Sequence, residues 1–305
     1  MSKKMTIDQQ PSSTFHSSSL SLIDARDEFM IYQRSMRHSE RTQEFYRETL
    51  RRFVNWCHSS DLNAISDIDS ASLRRYCLTL VESGLADTTV HNNMRAVRAF
   101  FYFLEREELI QSNPMKRVKM PRVEKKILPA FTDDEIERLL QVCDGKDFIS
   151  VRNRALILFL LDSGLRCDEC RSLKTADIDL QTGVFSVVGK GRKERVSRIG
   201  TKALRELRRY LRFHRPTTSQ QLWIGKQGDL TALGISGIIK KVGKKAGVHA
   251  HPHKFRRTCA LRLLRSNADI FSVQILMGHS DITVLRRYLA QSNEDVLAVH
   301  ARCIE

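Results

Sequence analysis

The sequence contains no long apolar run. Its longest uninterrupted apolar stretch, Ala155 to Leu161, has seven residues, whereas a membrane-spanning helix needs about 20. The first residues, MSKKMTIDQQPSSTFHSSS, begin with charge but lack the apolar block of a signal peptide. We therefore expect a cytoplasmic globular protein that carries neither a membrane anchor nor a cleaved leader.

Cysteine is too scattered to form a disulfide framework. The seven cysteines are an odd number at irregular spacings, a pattern that favours reduced thiols. Cys167 and Cys170 form one C-x-x-C pair, but no second pair with zinc-ligand spacing follows. We predict that these two small side chains share one helix and bind no metal.

Acidic residues are in short supply relative to basic ones. Lys and Arg number 51 against 35 Asp and Glu, which gives a formal net charge of +16 and a pI near 9.8. Such an excess favours a polyanionic partner, because each phosphate that a protein neutralises releases condensed counterions. Charge alone also fits RNA-binding, ribosomal and membrane-surface proteins, so it selects no activity.

The pattern along the chain predicts two domains, which 305 residues can supply. Residues 1–19 are polar and serine-rich, and we expect a disordered tail there. We predict a helical domain over residues 20–112, a basic linker over residues 113–128, and a second domain over residues 129–305 that ends in a tail helix. The expected fold class is mainly α with a small β-hairpin.

Four amphipathic segments predict a small helical bundle in the first domain. The fourth segment carries Val90, Met94, Val97, Phe101 and Leu104 on one face. After it, QSNPMKRVKMPRVEKKIL has two prolines and six basic residues against one acidic residue. This composition predicts an extended linker rather than a helix.

The second domain begins with a helix-start signal, because Thr132 and Glu135 match the capping box. The segment RNRALILFLLDSG is apolar enough to be a central core helix. GVFSVVGKGRKERVSRIG alternates around a glycine-containing turn and predicts a β-hairpin. The segments that follow predict further helices, including one around VLRRYLA.

Cleavage of a phosphodiester by a side-chain nucleophile requires fixed cations around the phosphate and a proton for the leaving oxygen. Arginine suits the first role because its planar fork binds two oxygens and keeps its charge. Histidine or lysine suits proton transfer near neutral pH. The second domain contains such groups, although composition alone does not assemble them.

The order and context of these residues resemble the tyrosine recombinase, or phage integrase, family over roughly residues 20–291. SGLRCDEC resembles its first arginine box, in which Arg166 is the catalytic arginine and Glu169 the supporting acid. VVGKGRKERV resembles its β-turn lysine motif, which makes Lys190 the catalytic lysine. Each box is weak alone, but four boxes in order are specific.

The two remaining boxes lie further along the chain. HPHKFRRTCALRLL resembles the H-x-x-R box, with His253 and Arg256. ILMGHSDITVLRRY resembles the G-H…Y box, with His279 nine residues before Tyr288. The resemblance implies that Tyr288 attacks the scissile phosphate and stays joined, through that phosphate, to the 3′ end of the cut strand.

The resemblance also implies the roles of the other groups. Arg166 and Arg256 clamp the non-bridging phosphate oxygens, and His279 adds a hydrogen bond. Lys190 protonates the leaving 5′-oxygen, and His253 acts as acid or base for the tyrosine. The partner strand then reseals the bond, so the reaction needs no metal, ATP or other cofactor.

The resemblance further implies the assembly. A homotetramer exchanges strands through a Holliday junction on double-stranded DNA with a short inverted-repeat core site. Residues 20–112 would be a core-type DNA-binding domain and residues 129–305 the catalytic domain, and the two would close around the duplex. A tail helix in SNEDVLAVHARCIE would dock on a neighbouring protomer or on its own domain. The sequence leaves open the DNA site, the biological outcome, and whether a second recombinase or accessory protein takes part.

The sequence departs from the family pattern near the boxes. Arg257 stands where histidine is usual and Cys170 where an aliphatic residue is usual, and Arg286 and Arg287 are more basic than the usual residues just before the tyrosine. GVFSVVGKG does not have the residue spacing of a P-loop. The nearby histidines His249, His251 and His253 predict a loop entering a helix rather than a metal site.

Two other functions share these residues. A type IB topoisomerase would relax DNA without a specific site, and an inactive relative would bind DNA as a regulator.

Overall fold

The computed structural model describes residues 20–123, 129–189, 194–213, 215, 219–278 and 301. The chain divides into two compact units, residues 1–125 and 126–305. Helices dominate both, with small antiparallel hairpins in the second unit, which confirms the predicted fold class. The predicted tail at residues 1–19 and the segment around VLRRYLA lie outside the described residues, as does the predicted C-terminal tail helix apart from residue 301.

The first unit contains the four predicted helices. They are α1 (Leu22–Ser35), α2 (Glu40–His58), α3 (Ser70–Glu82) and α4 (Asp87–Arg106). The side chains of Ser21, Ser39 and Asp69 cap the first three by accepting backbone N–H groups of the first turn. These caps satisfy donors that have no partner within a helix.

The first unit has an aromatic core. Phe29 and Phe100 meet edge to face with ring centroids 5.7 Å apart, and Phe53 meets Tyr76 in the same way at 5.0 Å. The five predicted core positions of α4 are all buried. The helical spacing of the apolar residues therefore predicted correctly which face of α4 is buried.

The structure differs from the predicted extended linker at its start. Residues Pro114–Arg117 form a 3-10 turn, which begins where the Asn113 side chain accepts the Met115 backbone N–H at 2.9 Å. Met115 and Val118 are buried in the first unit. The basic composition concealed these two apolar anchors, which hold the turn against the helical core.

The second unit is built around one apolar helix. Among the described residues, its α-helices of six residues or more are α5 (Asp133–Gln141), α6 (Phe148–Ser163), α7 (Cys167–Ser172), α8 (Thr201–Phe213), α9 (Ala232–Ala246), α10 (Pro252–Arg265) and α11 (Ile270–Met277). Helix α6 is buried along most of its length, as its sequence predicted. It packs against α8 and α10. Cys167 and Cys170 share α7, as predicted, and Cys170 is fully buried.

The predicted hairpin is present. Strands β1 (Val184–Val188) and β2 (Glu194–Arg198) pair antiparallel, with Val187 opposite Arg195. A second, very short hairpin, β3 (Ile224–Gly225) and β4 (Gly228–Asp229), has no counterpart in the predicted elements. It has only two residues in each strand, too few for the alternation that reveals strands in a sequence.

Helix α10 begins earlier than the segment TCALRLLRS indicates, because Pro252 occupies its first turn. Proline suits this position, since its missing N–H would have no intrahelical partner there. The H-x-x-R box therefore lies on the first turns of α10. Among the described residues, no helix is long and apolar enough to cross a membrane.

The capping box of α5 predicts a measurable contribution to stability. Thr132 accepts the Glu135 backbone N–H at 3.1 Å, and Glu135 accepts the Thr132 N–H at 3.0 Å. We expect Thr132→Ala to lower the free energy of unfolding by about 1 kcal/mol in urea titrations, because the cap is lost. Thr132→Ser keeps the hydroxyl and should be near wild type; equal losses in both variants would contradict this role.

Candidate active site

The site begins where α6 ends. Gly164 closes the helix in the left-handed conformation, with φ of 59°. A Cβ there would lie 2.9 Å from the Sδ and Cε atoms of Met277, so the position admits no side chain without movement. The chain then passes through buried Leu165 to Arg166, which is the N-cap residue of α7.

Glu169 on α7 is a buried carboxylate that accepts four hydrogen bonds. Its Oε1 accepts Nη1 of Arg166 at 2.9 Å and Nη1 of Arg195 at 3.1 Å. Its Oε2 accepts the backbone N–H of Arg166 at 2.9 Å and Nη2 of Arg195 at 2.8 Å. A carboxylate that is only 5% exposed requires such complete pairing.

These contacts set the protonation state of Glu169. Burial alone would raise the pKa of Glu169, but the hydrogen bonds from Arg195 and the Arg166 backbone, with the two positive charges, outweigh it. The pKa therefore lies below the ordinary value of 4.5. Glu169 is ionised at neutral pH and acts as a fixed anion between two arginines.

Helix α10 supplies the second predicted arginine. Arg256 is buried, and its Nη1 donates to the Gly164 carbonyl at 2.9 Å. Its Nη2 donates to the carbonyl of Met277. The two contacts fix the guanidinium between the end of α6 and the end of α11.

The C-terminal end of α11 accepts three arginines in succession. The carbonyl of Leu276 accepts Nε of Arg195 at 3.0 Å, and the next one, of Met277, accepts Arg256. The carbonyl of Gly278 accepts Nη2 of Arg166 at 3.1 Å. The last carbonyls of a helix lack intrahelical partners and carry the negative end of its dipole, so cations are favoured there.

His253 lies one turn before Arg256 on α10, and its side chain is open to solvent. Partial desolvation lowers the pKa of His253 below 6.5, and the positive charges of Arg256, Arg166 and Arg257 lower it further. The imidazole is therefore neutral at pH 7. A neutral imidazole beside fixed cations can accept a proton from an approaching hydroxyl.

Contacts with the start of the second unit hold α10 in place. Nζ of Lys254 donates to both carboxylate oxygens of Glu135, at 2.9 and 3.0 Å, and lies 4.4 Å from the centre of the Phe131 ring. The backbone N–H of Phe131 donates to Thr258 at 2.9 Å. Arg257, where the family usually has histidine, donates to the carbonyl of Pro129 at 2.8 Å.

The structure brings together four of the seven predicted site residues: Arg166, Glu169, His253 and Arg256. The other three, Lys190, His279 and Tyr288, lie outside the described residues. No group of three or more metal-ligating side chains occurs within the described ranges.

Arg195 is a residue of this cluster that the sequence analysis missed. It lies in the same motif as Lys190, but it was not assigned a role. Its position on β2 offered a signal, because it alternates with exposed Glu194 and Val196 and so faces inward. An inward-facing arginine needs a buried acid as partner, and Glu169 was already the supporting acid of the first box.

Comparison with protein families gives two matches that cover both units. The model described as "Phage integrase family" matches residues 129–295, more than half of the chain. The model "Phage integrase, N-terminal SAM-like domain" matches residues 27–108. The chain belongs to the phage integrase family.

Curated relatives agree. Tyrosine recombinase XerC of Oceanobacillus iheyensis is 32% identical over 273 residues, which cover 86% of this chain and 90% of the relative. Tyrosine recombinase XerC of Pelotomaculum thermopropionicum is 32% identical over 294 residues, which cover 90% and 96%. This member of the family is therefore an enzyme, a DNA-binding, Xer-like tyrosine recombinase that acts site-specifically through a tyrosine intermediate.

Solved structures share the fold. The Tn1549 transposon integrase in complex with transposon right end DNA superposes with a TM-score of 0.76 at 18% identity, over 93% of this chain and 99% of that one. A lambda integrase dimer bound to a COC' core site gives 0.72 at 16% identity, over 89% and 78%. At these identities the likeness concerns the fold alone.

The pairing of Glu169 predicts a pH-dependent contribution to stability. Because the folded pKa is lowered, the stabilisation is fully present above about pH 4.5 and is lost as the pH falls through the folded pKa. We expect Glu169→Gln to lower the free energy of unfolding at pH 7 by about 3 kcal/mol, since Arg195 loses its buried partner. The difference from wild type should shrink in urea titrations below pH 4.5, and a constant difference would contradict this account.

Proposed function

We propose that this recombinase cuts one DNA strand with Tyr288 and holds it as a 3′-phosphotyrosyl link with a free 5′-hydroxyl. The observation that carries the proposal is the convergence of Arg166 and Arg256 on the end of α11. This end leads directly into the G-H…Y box, since Gly278 is the glycine of that box. The two arginines are thereby tied to the segment that carries the nucleophile.

In this proposal, Arg166 and Arg256 bind the non-bridging oxygens of the scissile phosphate. Their guanidinium groups are held by backbone carbonyls and by Glu169, so little reorganisation is needed when charge builds on the phosphate. The described bonds of Arg166 use two of its five N–H donors. Its side chain is 36% exposed, which leaves it accessible to DNA.

His253 fits the role of the base that takes the tyrosine proton. Its pKa lies below the ordinary value, so the neutral form predominates at pH 7. For Lys190 and His279 the proposal rests on the sequence motifs. Lys190 would protonate the leaving 5′-oxygen, and His279 would donate a hydrogen bond to the phosphate.

Attack by the 5′-hydroxyl of a partner strand would reverse the chemistry and reseal the DNA. The phosphotyrosyl link conserves the bond energy, so we propose no ATP, metal or other cofactor. Two rounds of exchange would pass through a Holliday junction in a homotetramer on a short inverted-repeat core site. The tail after Tyr288 is a candidate for contact between neighbouring protomers.

Uncompensated cations on both units support binding to the DNA backbone. Arg47 and Arg51 on α2 do not belong to this group, because each is paired with an acidic residue of its own helix. On α4, Arg95 lies 5.7 Å from the centre of the Phe45 ring and Arg98 lies over Tyr102, with no acidic partner among the described residues. Helix α9 adds four exposed lysines: Lys240, Lys241, Lys244 and Lys245. Such charges would supply most of the affinity, and base contacts the specificity.

The nucleophile is tested by capturing covalent protein–DNA adducts under denaturing conditions from cells that express the protein. We expect the wild type to yield DNA attached through its 3′ end, and Tyr288→Phe to yield none, because no other hydroxyl replaces the nucleophile. Ordinary chemical cross-linking serves as the control, since the Phe variant should still bind DNA. Sequencing of the captured DNA identifies the target site.

Two outcomes would contradict the proposal. Adducts from Tyr288→Phe would assign the nucleophile to another residue. Absence of adducts from the wild type, with normal cross-linking, would favour the regulatory function of an inactive relative. Cleavage spread evenly over the DNA, together with relaxation of supercoils, would favour a topoisomerase.

The role of His253 predicts a pH profile. The captured site serves as the substrate. As the pH is lowered past 6.5, the rate of adduct formation should stay at its plateau, and it should fall only when the pH reaches the lowered pKa of His253. His253→Gln should lower the plateau by about 10²-fold and remove this acid limb, because the variant has no titrating base. An unchanged acid limb in the variant would assign the titration to another group.

A further inference from the structure

The cluster contains three arginines, but the phosphate clamp proposed above uses only Arg166 and Arg256. The third arginine, Arg195, has no role in that clamp. Arg195 binds Glu169 through both terminal nitrogens, at 3.1 and 2.8 Å, while Arg166 binds the same carboxylate through Nη1 at 2.9 Å. The two arginines differ in exposure. Arg195 is 9% exposed, and Arg166 is 36% exposed. Glu169 is therefore bound by the buried guanidinium of Arg195 and by the partly exposed guanidinium of Arg166.

The charges of this cluster show why the second arginine matters. Glu169 and Arg195 together have no net charge, so Arg166 contributes a full positive charge beside Arg256. Without Arg195, the buried carboxylate would have Arg166 as its only cationic partner, and the pair would be neutral. A neutral pair attracts a phosphate more weakly than a cation does, above all in a partly desolvated site.

Arg195 also touches the segment that leads to the nucleophile. Its Nε donates to the Leu276 carbonyl at 3.0 Å in the last turn of α11. Gly278, with φ of 60°, allows this approach, because a Cβ there would lie 3.3 Å from Nη1 of Arg195. One side chain on β2 thus joins the supporting acid to the end of α11, and in the sequence its strand begins four residues after Lys190.

We propose that Arg195 is a positioning residue for DNA cleavage, which neutralises Glu169 so that Arg166 keeps its positive charge for the scissile phosphate. This inference rests on the proposed function, since it assumes that Arg166 binds that phosphate. Arg195 itself touches neither the DNA nor the reacting atoms. It acts through Glu169 and through the end of α11.

The test compares the yield of 3′-linked DNA adducts per folded protein, in the host capture assay, for a set of full-length variants. Arg195→Met removes the charge but keeps the bulk, and should lower the yield on the order of 10²-fold, as misplacement of a reacting group does. The double variant Arg195→Met with Glu169→Gln removes both charges and should regain at least about 10-fold of that loss. Arg195→Lys keeps the charge and should fall between wild type and Arg195→Met.

Arg198→Met is the matched control. Arg198 lies on the same strand and is exposed, and its Nε donates to the carbonyl of Thr182, two residues before β1, at 3.0 Å. Its loss removes the same charge from the same strand without touching Glu169. We expect a yield within about two-fold of wild type for this control, as for most surface substitutions.

The outcomes separate the inference from the function on which it rests. If wild type gives no adducts, or if Arg166→Gln gives as many as wild type, the proposed function fails and this inference fails with it. If those controls behave as expected and Arg195→Met matches Arg198→Met, the inference alone is wrong. A purely structural role predicts that the double variant stays as inactive as Arg195→Met, with losses that follow its melting temperature. If Arg195→Met does not fold, the adduct yield of the double variant is compared with that of Glu169→Gln alone. Similar yields support the inference, because Arg195 has no acid left to neutralise in either variant. A yield of the double variant far below that of Glu169→Gln overturns it.

Discussion

The arrangement of this site depends on the backbone carbonyls at the end of one short helix, which have no partner within the helix. Three consecutive carbonyls at the end of α11 each accept a different arginine. Arg166 comes from the start of α7, Arg195 from a hairpin and Arg256 from α10. Three elements that are distant in the sequence are thereby held around one point, and the chain that leaves this point carries the G-H…Y box.

The same point concentrates positive charge, which a protein interior tolerates only with compensation. Glu169 supplies the compensating negative charge, and its two oxygens are fully used by Arg166 and Arg195. The helix dipole of α11 adds partial negative charge at its carbonyl end. The cluster is therefore stable without a phosphate, yet its net charge remains positive and suited to binding one. This combination is what electrostatic preorganisation requires.

Much of this architecture was predictable because it follows from local rules. Helical spacing of apolar residues identified the core face of α4, and the Thr132 and Glu135 pair marked the start of α5. Short elements escaped prediction. The two-residue strands carry too few residues for a pattern, and the turn at Pro114–Arg117 was masked by basic neighbours while Met115 is held in the core.

The sequence by itself determined the family and the predominance of helices, and it supplied the candidate site residues, because these depend on residue types, spacing and order. Only the tertiary structure decided which of those residues meet. It joined Arg166, Glu169, His253 and Arg256, and it added Arg195 as the second partner of the buried acid. The physical reason is that contacts across β2, α7 and α11 depend on packing, while a sequence pattern records only the periodicity within each element.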